Sequence, residues 1–257
     1  MKSIKNIFLL TIFKSKHITE AFAFYILIML LINNIYCIKL VANSGIVISS
    51  ADVYIMFLRD DFFPISICTV SALLLLNLFK NDFRTVEIIS YNSRKSIWLN
   101  QVLRVFMLSM CWGLLLIAFL FIFTVLFCRE GLNFFQESSL FFFYTKRTLE
   151  NINVQEVILF SYLSFICSLV TMCLLVLLFK WLCNSYVLGY IAMVLIICND
   201  TINENFRVFF DKNSIFYTQW IDKSLIARGF STTLLIIFLE ILFGIIIAQK
   251  RDFINDK

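Results

Sequence analysis

Apolar residues along this chain are gathered into six runs that short polar segments separate. A helix needs roughly 20 mainly apolar residues to cross a bilayer. The pattern therefore predicts an all-α, polytopic membrane protein with six transmembrane helices in one domain spanning residues 1–257. The predicted spans are 21–38, 62–79, 105–127, 157–179, 182–198 and 231–248, of which the fifth is the shortest.

The composition supports this class. Hydrophobic residues make up 61% of the 257 residues and charged residues only 15%, with a mean hydropathy of +0.89. Soluble domains average about 45–50% apolar and about 25% charged residues. The net charge of +5 is not a sign of nucleic-acid binding, because in a membrane protein the position of the basic residues matters more than their sum.

The basic residues predict an orientation. With the N-terminus in the cytoplasm, the inner segments hold thirteen Lys and Arg residues against five acids, and the outer segments hold nine against eleven. Since cytoplasmic loops carry the excess of Lys and Arg, both termini are expected in the cytoplasm. The largest inner loop is then the segment from Phe79 to Phe106.

The N-terminal residues before the first span are amphipathic. Ile4, Ile7, Phe8 and Ile12 fall on one helical face, and the nearby lysines lie off that face or at its edge. This pattern predicts a surface helix along the inner side of the membrane.

The two longer outer segments, 129–156 and 199–230, each contain an apolar piece. These are "LFFFY" (Leu140–Tyr144) and "IFYTQW" (Ile215–Trp220). Such pieces either rest on the outer leaflet as interfacial helices or cap the helix bundle. The sequence leaves both interpretations open.

The sequence lacks the common catalytic motifs. None of the six glycines precedes a lysine, so there is no GxxxxGK phosphate loop, and neither HExxH nor GxSxG occurs. His17 is the single histidine, which excludes a histidine-based metal cluster. We therefore expect no enzymatic activity and no cofactor bound by this chain itself.

The eight cysteines have no CxxC spacing and lie mostly in or beside apolar runs. We expect buried free thiols that behave as small hydrophobic groups. A disulfide among Cys37, Cys128 and Cys198, which fall at the outer ends of their runs, is left open.

Polar residues inside the predicted spans are candidates for a substrate path. Glu240 lies near the middle of the sixth span, where a carboxylate costs about 2.5–3.5 kcal/mol on the insertion scale. Asn33 and Asn34 lie in the first span. Each of the three is either a contact on the substrate path or a structural hydrogen bond to another helix. For Glu240 a protonated acid is a further alternative, and the sequence leaves these open.

The inner loop is patterned as a helix. Phe83, Val86 and Ile89 recur every three residues, and after a turn an apolar face resumes at Ile97 and Trp98 and continues through 102 and 105 into the third span. A short amphipathic helix of this kind either docks into a groove on a partner protein or lies on the anionic inner leaflet. Periodicity alone does not separate the two.

The arrangement of spans, termini, N-terminal surface helix and one principal inner loop resembles the membrane (permease) subunit of type-2 ATP-binding-cassette exporters. In that family the loop carries an aromatic residue and an acid, then Ser-Arg, then an aliphatic run into the third span. Here these are Phe83, Glu87, Ser93-Arg94 and Ile97–Leu99. The "KRDF" segment, Lys250–Phe253, after the last span is also similar.

The resemblance implies that the loop is a cytoplasmic coupling helix docked on a separate ATPase subunit, which binds ATP and Mg²⁺. The residues implied in coupling are Phe83, Arg84, Val86, Glu87, Ile89 and Arg94. It further implies a second permease chain, identical or not, so that a dimer forms the pathway in the bacterial cell membrane. Small permeases of this kind resemble those of antimicrobial-peptide export and immunity, which suggests an amphipathic peptide or lipid-like substrate.

Two other functions remain as alternatives. One is a secondary transporter that uses Glu240 as proton carrier. The other is a non-transporting immunity or assembly protein of the membrane.

Overall fold

A computed structural model of the chain describes residues 25–32, 35, 45–58, 67–77, 79, 93–128, 130–202, 209 and 215–250. Within these ranges eight helices have defined bounds. They are α1 (Ser50–Phe57), α2 (Thr69–Asn77), α3 (Arg94–Phe127), α4 (Leu140–Thr145), α5 (Val154–Cys183), α6 (Tyr186–Ile202), α7 (Tyr217–Ile221) and α8 (Lys223–Lys250).

Three helices are long and apolar enough to cross a membrane: α3, α5 and α8. They have 34, 30 and 28 residues, and at about 1.5 Å per residue each exceeds the roughly 30 Å of a hydrocarbon core. Apart from an isolated bridge between Val47 and Ser139, the described ranges contain no strand. The architecture fits an all-helical membrane protein.

The predicted spans 105–127, 157–179 and 231–248 are confirmed as parts of these long helices. The runs 21–38 and 62–79 contain the helical residues 25–32 and the nine-residue α2, and α6 is a shorter apolar helix. Six spans with both termini in the cytoplasm therefore stay a prediction. The predicted N-terminal surface helix and the segment 80–92 lie outside the described residues.

The boundary between the fourth and fifth predicted spans differs from the prediction. Helix α5 continues past residue 179 to Cys183, and α6 begins at Tyr186 instead of residue 182. The break falls at Asn184, which has the left-handed values φ 55° and ψ 20° that asparagine adopts more readily than most residues. The ammonium group of Lys180 donates to the Asn184 carbonyl at 3.0 Å and to its Oδ1 at 2.8 Å, closing the helix end.

Helix α5 is the centre of the bundle and packs against α1, α2, α3, α6 and α8. No charged residue occurs between Glu156 and Lys180, and a helix that is apolar on all faces is suited to complete burial. Glycines allow close approach: a Cβ at Gly189 on α6 would lie 2.7 Å from the Cα of Val176. Two helices can meet this closely only where one of them lacks a side chain.

One end of the bundle is covered by residues 45–58, 130–152 and 215–222, which we name the cap. Its segments are joined by backbone hydrogen bonds, from Val47 N to Ser138 O at 2.9 Å and from Ser50 N to Glu130 O at 2.9 Å. The side-chain amide of Asn133 donates to the Val47 carbonyl at 2.9 Å. These bonds make the cap a folded unit in which distant parts of the chain meet.

The two apolar pieces singled out in the sequence form helices α4 and α7 of the cap. They pack on each other through aromatic rings: Tyr144 and Tyr217 stack with centroids 5.2 Å apart, and Phe141 meets Tyr217 edge-on at 5.9 Å. Helix α7 also contacts α8. This packing favours the interpretation that they cap the bundle.

Helix spacing gives the first prediction. We expect Gly189→Ala to destabilise the protein by about 1–3 kcal/mol, because the new methyl group would overlap the α5 backbone and force the helices apart. The matched control is Gly131→Ala, whose Cβ would lie 3.4 Å from its nearest neighbour, an ordinary contact. Thermal unfolding in detergent measures both, and equal stability of the two variants would contradict the packing described here.

Candidate functional site

Glu240 lies on the buried face of α8. The buried residues of this helix recur every three or four positions and define one stripe: Ile226, Gly229, Thr233, Ile237, Glu240, Gly244 and Ala248. Because α8 packs against α5 and α3, this stripe is its contact surface with the rest of the bundle. The carboxyl group therefore belongs to the interior of the protein.

The carboxyl group of Glu240 is buried without full hydrogen bonding. The residue is only 8% exposed, and its Oε2 atom has no hydrogen-bond partner. At about 1.5 Å per residue it lies about 26 Å from Lys223 and about 15 Å from Lys250 along the helix axis. A carboxyl group this deep in a spanning helix is costly and in general marks a functional site.

Trp98 of α3 covers the same face of α8 one turn further along. Its indole Nε1 donates to the carbonyl of Ile241 at 3.1 Å. A Cβ added at Gly244 would overlap the indole ring. The ring thus lies directly on the α8 backbone, and only glycine at position 244 leaves room for it.

Trp98 is held from the other side by α5. Its ring meets that of Trp181 edge-on at 6.3 Å, and the Trp181 Nε1 donates to Gln101 Oε1 at 2.8 Å. All three side chains are fully buried. The beginning of α3 is therefore fixed on both α5 and α8.

The thiols near Glu240 do not form a metal site. Cys173 on α5 lies within electrostatic range of Glu240 and of Cys68. No group of three or more His, Cys, Asp or Glu that could hold a metal occurs in the part of the chain that the structure describes. Cys128 and Cys198, left open for a disulfide, are free thiols.

The predicted site residues are described only in part. Arg94 is the first residue of α3 and is partly buried, and Ser93 caps the helix by accepting a hydrogen bond from Ser96 N at 3.2 Å. The predicted apolar face is confirmed, since Ile97, Trp98 and the valines at 102 and 105 are buried. The other predicted site residues lie outside the described ranges: Asn33, Asn34, Phe83, Arg84, Val86, Glu87 and Ile89.

The end of the bundle opposite the cap, which we name the Arg94 end, is basic and aromatic. The guanidinium of Arg104 lies 4.6 Å above the ring centroid of Phe79. The ammonium of Lys180 lies 5.1 Å above the ring centroid of Tyr186. The Tyr186 hydroxyl donates to the Phe79 carbonyl at 3.4 Å. These contacts join Phe79 to the helices α3, α5 and α6.

The cap holds a second buried carboxyl group that the sequence reasoning missed. Asp52 is fully buried in α1 and accepts hydrogen bonds at Oδ2 from Ser49 N at 2.8 Å and Ser49 Oγ at 2.7 Å. Its Oδ1 accepts from the Tyr217 hydroxyl at 2.9 Å. The spacing of Ser49 and Asp52 is that of a capping box, so the sequence carried a signal for the helix start but none for the bond to Tyr217.

Burial raises the pKa of Asp52 from 3.8 to about 6, and the hydrogen bonds from Ser49 and Tyr217 act in the opposite direction. The carboxyl group thus ties α1 to α7, two elements separated by more than 150 residues of chain. It is a structural bond of the cap and lies apart from the Glu240 site.

Comparisons with protein-family models, with curated proteins and with solved structures give no match. The three long apolar helices assign the chain to the class of helical membrane proteins.

Asp52 gives a prediction about pH. Its folded pKa of about 6 exceeds the ordinary value of 3.8, so the folded protein binds this proton more tightly than the unfolded chain. Its contribution to stability is then greatest below about pH 4 and is lost as the pH rises to about 6. We expect the melting temperature of the wild type to fall over this range, relative to Asp52→Asn, by roughly 5 °C.

Tyr217→Phe is the matched variant. It removes a hydrogen-bond donor that favours the ionised carboxylate of Asp52, which raises the folded pKa further. The fall in melting temperature should therefore extend to higher pH than in the wild type. Identical pH profiles of the wild type, Asp52→Asn and Tyr217→Phe would contradict the role assigned to this bond.

Proposed function

We propose that this chain is the membrane-spanning permease subunit of an ATP-binding-cassette exporter in a bacterial cell membrane. It has six spans with both termini in the cytoplasm and works with an ATPase on a separate chain. The substrate is an amphipathic peptide or a lipid-like molecule. A second permease chain completes the pathway.

One observation carries the proposal: the start of α3 is fixed on both α5 and α8. Trp98 is four residues after Arg94, and it contacts the backbone of α8 beside Glu240 as well as Trp181 of α5. A push on the segment before Arg94 would therefore reach both of these helices. A coupling helix needs this kind of rigid connection.

The energy source has to be another protein. The sequence has no phosphate loop, so ATP and Mg²⁺ bind to the partner ATPase. In the proposed mechanism, closure of the ATPases moves the segment 83–90, the first turns of α3 follow it, and Trp98 transmits the movement to α8 and α5. The basic residues of the Arg94 end contact anionic headgroups of the inner leaflet.

A proton-driven secondary transporter is the second candidate. The unpartnered Oε2 of Glu240 favours it, because an intramembrane carboxyl group is the usual element of a proton relay. This function needs no ATPase, and the two candidates are therefore separated by what the chain binds.

The test is co-purification. We expect the tagged chain, expressed with its neighbouring genes, to bring down a protein with a phosphate loop. Phe83→Asp and Ile89→Asp should lower its recovery at least tenfold, because a charge on the apolar face opposes docking into an apolar groove. Quantitative mass spectrometry of the purified complex measures the ratio of the two chains.

The matched control is Ile88→Asp, which adds the same charge about 160° around the helix from Val86, the centre of that face. Recovery of no such protein with the wild type would rule out the exporter. Equal recovery with all three variants would mean that the segment 83–90 is not the docking element.

A further inference from the structure

Among the residues that the structure describes, Glu240 has no ion-pair partner. Its Oε2 accepts and donates no hydrogen bond, and its neighbours on the same stripe are Ile237 and Gly244. The described basic residues of its own helix lie near the helix ends, Arg228 about 18 Å and Lys250 about 15 Å away along the axis. Because an unpaired charge in apolar surroundings is strongly unfavourable, the carboxyl group is suited to the neutral, protonated form.

The groups that the described parts of the packed helices place near it are also uncharged. Helix α5 contributes the buried thiol of Cys173, which lies within electrostatic range of both Glu240 and the buried Cys68. Helix α3 contributes the indole of Trp98. Helix α7 meets α8 near the opposite end, through the cap. None of these groups carries a positive charge that would offset the negative charge of a carboxylate.

Access from the Arg94 end is blocked by the same indole. Glu240 and Gly244 are one turn apart on one face of α8, and Trp98 lies on Gly244 with its Nε1 bonded to the Ile241 carbonyl. The ring therefore stands between the carboxyl group and the Arg94 end. The edge-on contact with Trp181 holds it there.

We infer that Glu240 is a proton-binding site that holds a neutral acid in this conformation, and that Trp98 closes it toward the Arg94 end. Release of the proton toward the Arg94 end requires Trp98 to leave Gly244, and this happens when the first turns of α3 move. The site is a property of this chain alone, so the inference stands whether or not an ATPase drives the protein.

Carbodiimides test both the protonation of Glu240 and its closure by Trp98, because they react with protonated carboxyl groups. The acid adds across one C=N bond: a carboxyl oxygen bonds to the central carbon and the proton passes to nitrogen. An acyl shift then gives a stable N-acylurea that retains the whole reagent. An apolar carbodiimide reaches the site from the membrane phase, whereas a water-soluble one needs an open aqueous route.

The first measurement uses dicyclohexylcarbodiimide on the full chain in detergent at pH 6.5. This pH is well above the ordinary pKa of a glutamate carboxyl group, about 4.3. We expect the peptide with Glu240 to gain the mass of the intact reagent, and the Glu240→Gln protein to gain none there. Glu156 is the internal control, because it is exposed and paired with Lys223 at 2.7 Å. Failure of the folded wild type to react at Glu240, or equal reaction at Glu156, would overturn the inference that Glu240 is protonated.

The second measurement uses a water-soluble carbodiimide with glycinamide, which traps the activated acid as an amide and releases the urea of the reagent. We expect slow reaction of Glu240 in the wild type and at least tenfold faster reaction in Trp98→Ala. Leu99→Ala, on the exposed side of the same turn, should react like the wild type. Trp98→Phe, which keeps an aromatic ring but loses the Nε1 donor, is a milder variant should Trp98→Ala not fold, and we expect it to react faster than the wild type.

Equal rates of Glu240 modification in the wild type and the folded Trp98 variants would overturn the inference that Trp98 closes the site. Neither measurement involves an ATPase, so its failure is distinct from failure of the proposed exporter function.

Discussion

The bundle depends on the contact between the indole of Trp98 and the backbone of α8 at Gly244. It joins residues that are 143 positions apart through one hydrogen bond and through packing that any side chain at 244 would prevent. In the interior of a membrane, where lipid tails are as apolar as the side chains, helices associate through such close packing and interhelical hydrogen bonds. The contact thus fixes where α3 begins relative to the interior carboxyl group of Glu240.

The two ends of the molecule are built differently. The cap is held by backbone hydrogen bonds, stacked aromatic rings and the buried carboxylate of Asp52, which receives three hydrogen bonds. The Arg94 end is held by two tryptophans and by cations that lie over aromatic rings. This difference between a hydrogen-bonded cap and a basic, tryptophan-linked end supports the proposed mechanism, in which movement enters at the Arg94 end.

The long helices and their buried faces were predictable because they rest on local patterns. Apolar runs predicted α3, α5 and α8, and the spacing of Ile97, Trp98, Val102 and Val105 predicted the buried face at the start of α3. The long-range contacts were not predictable. Nothing in the sequence links Trp98 with Gly244, and the break at Asn184 depends on a side-chain preference inside a continuous apolar run. The spacing of Ser49 and Asp52 predicts the start of a helix. The hydrogen bond from Tyr217 to Asp52 forms only when residues distant in the sequence come together in the folded cap.

The most direct test of this account is a double-mutant cycle between Trp98 and Gly244. The free energy of unfolding in detergent is measured for the wild type, Gly244→Ala, Trp98→Ala and the double variant. We expect Gly244→Ala to cost about 1–3 kcal/mol when Trp98 is present and less than about 0.5 kcal/mol when it is absent, because the overlap then disappears. Additive effects of the two substitutions would show that the indole does not lie on α8, and would contradict the account.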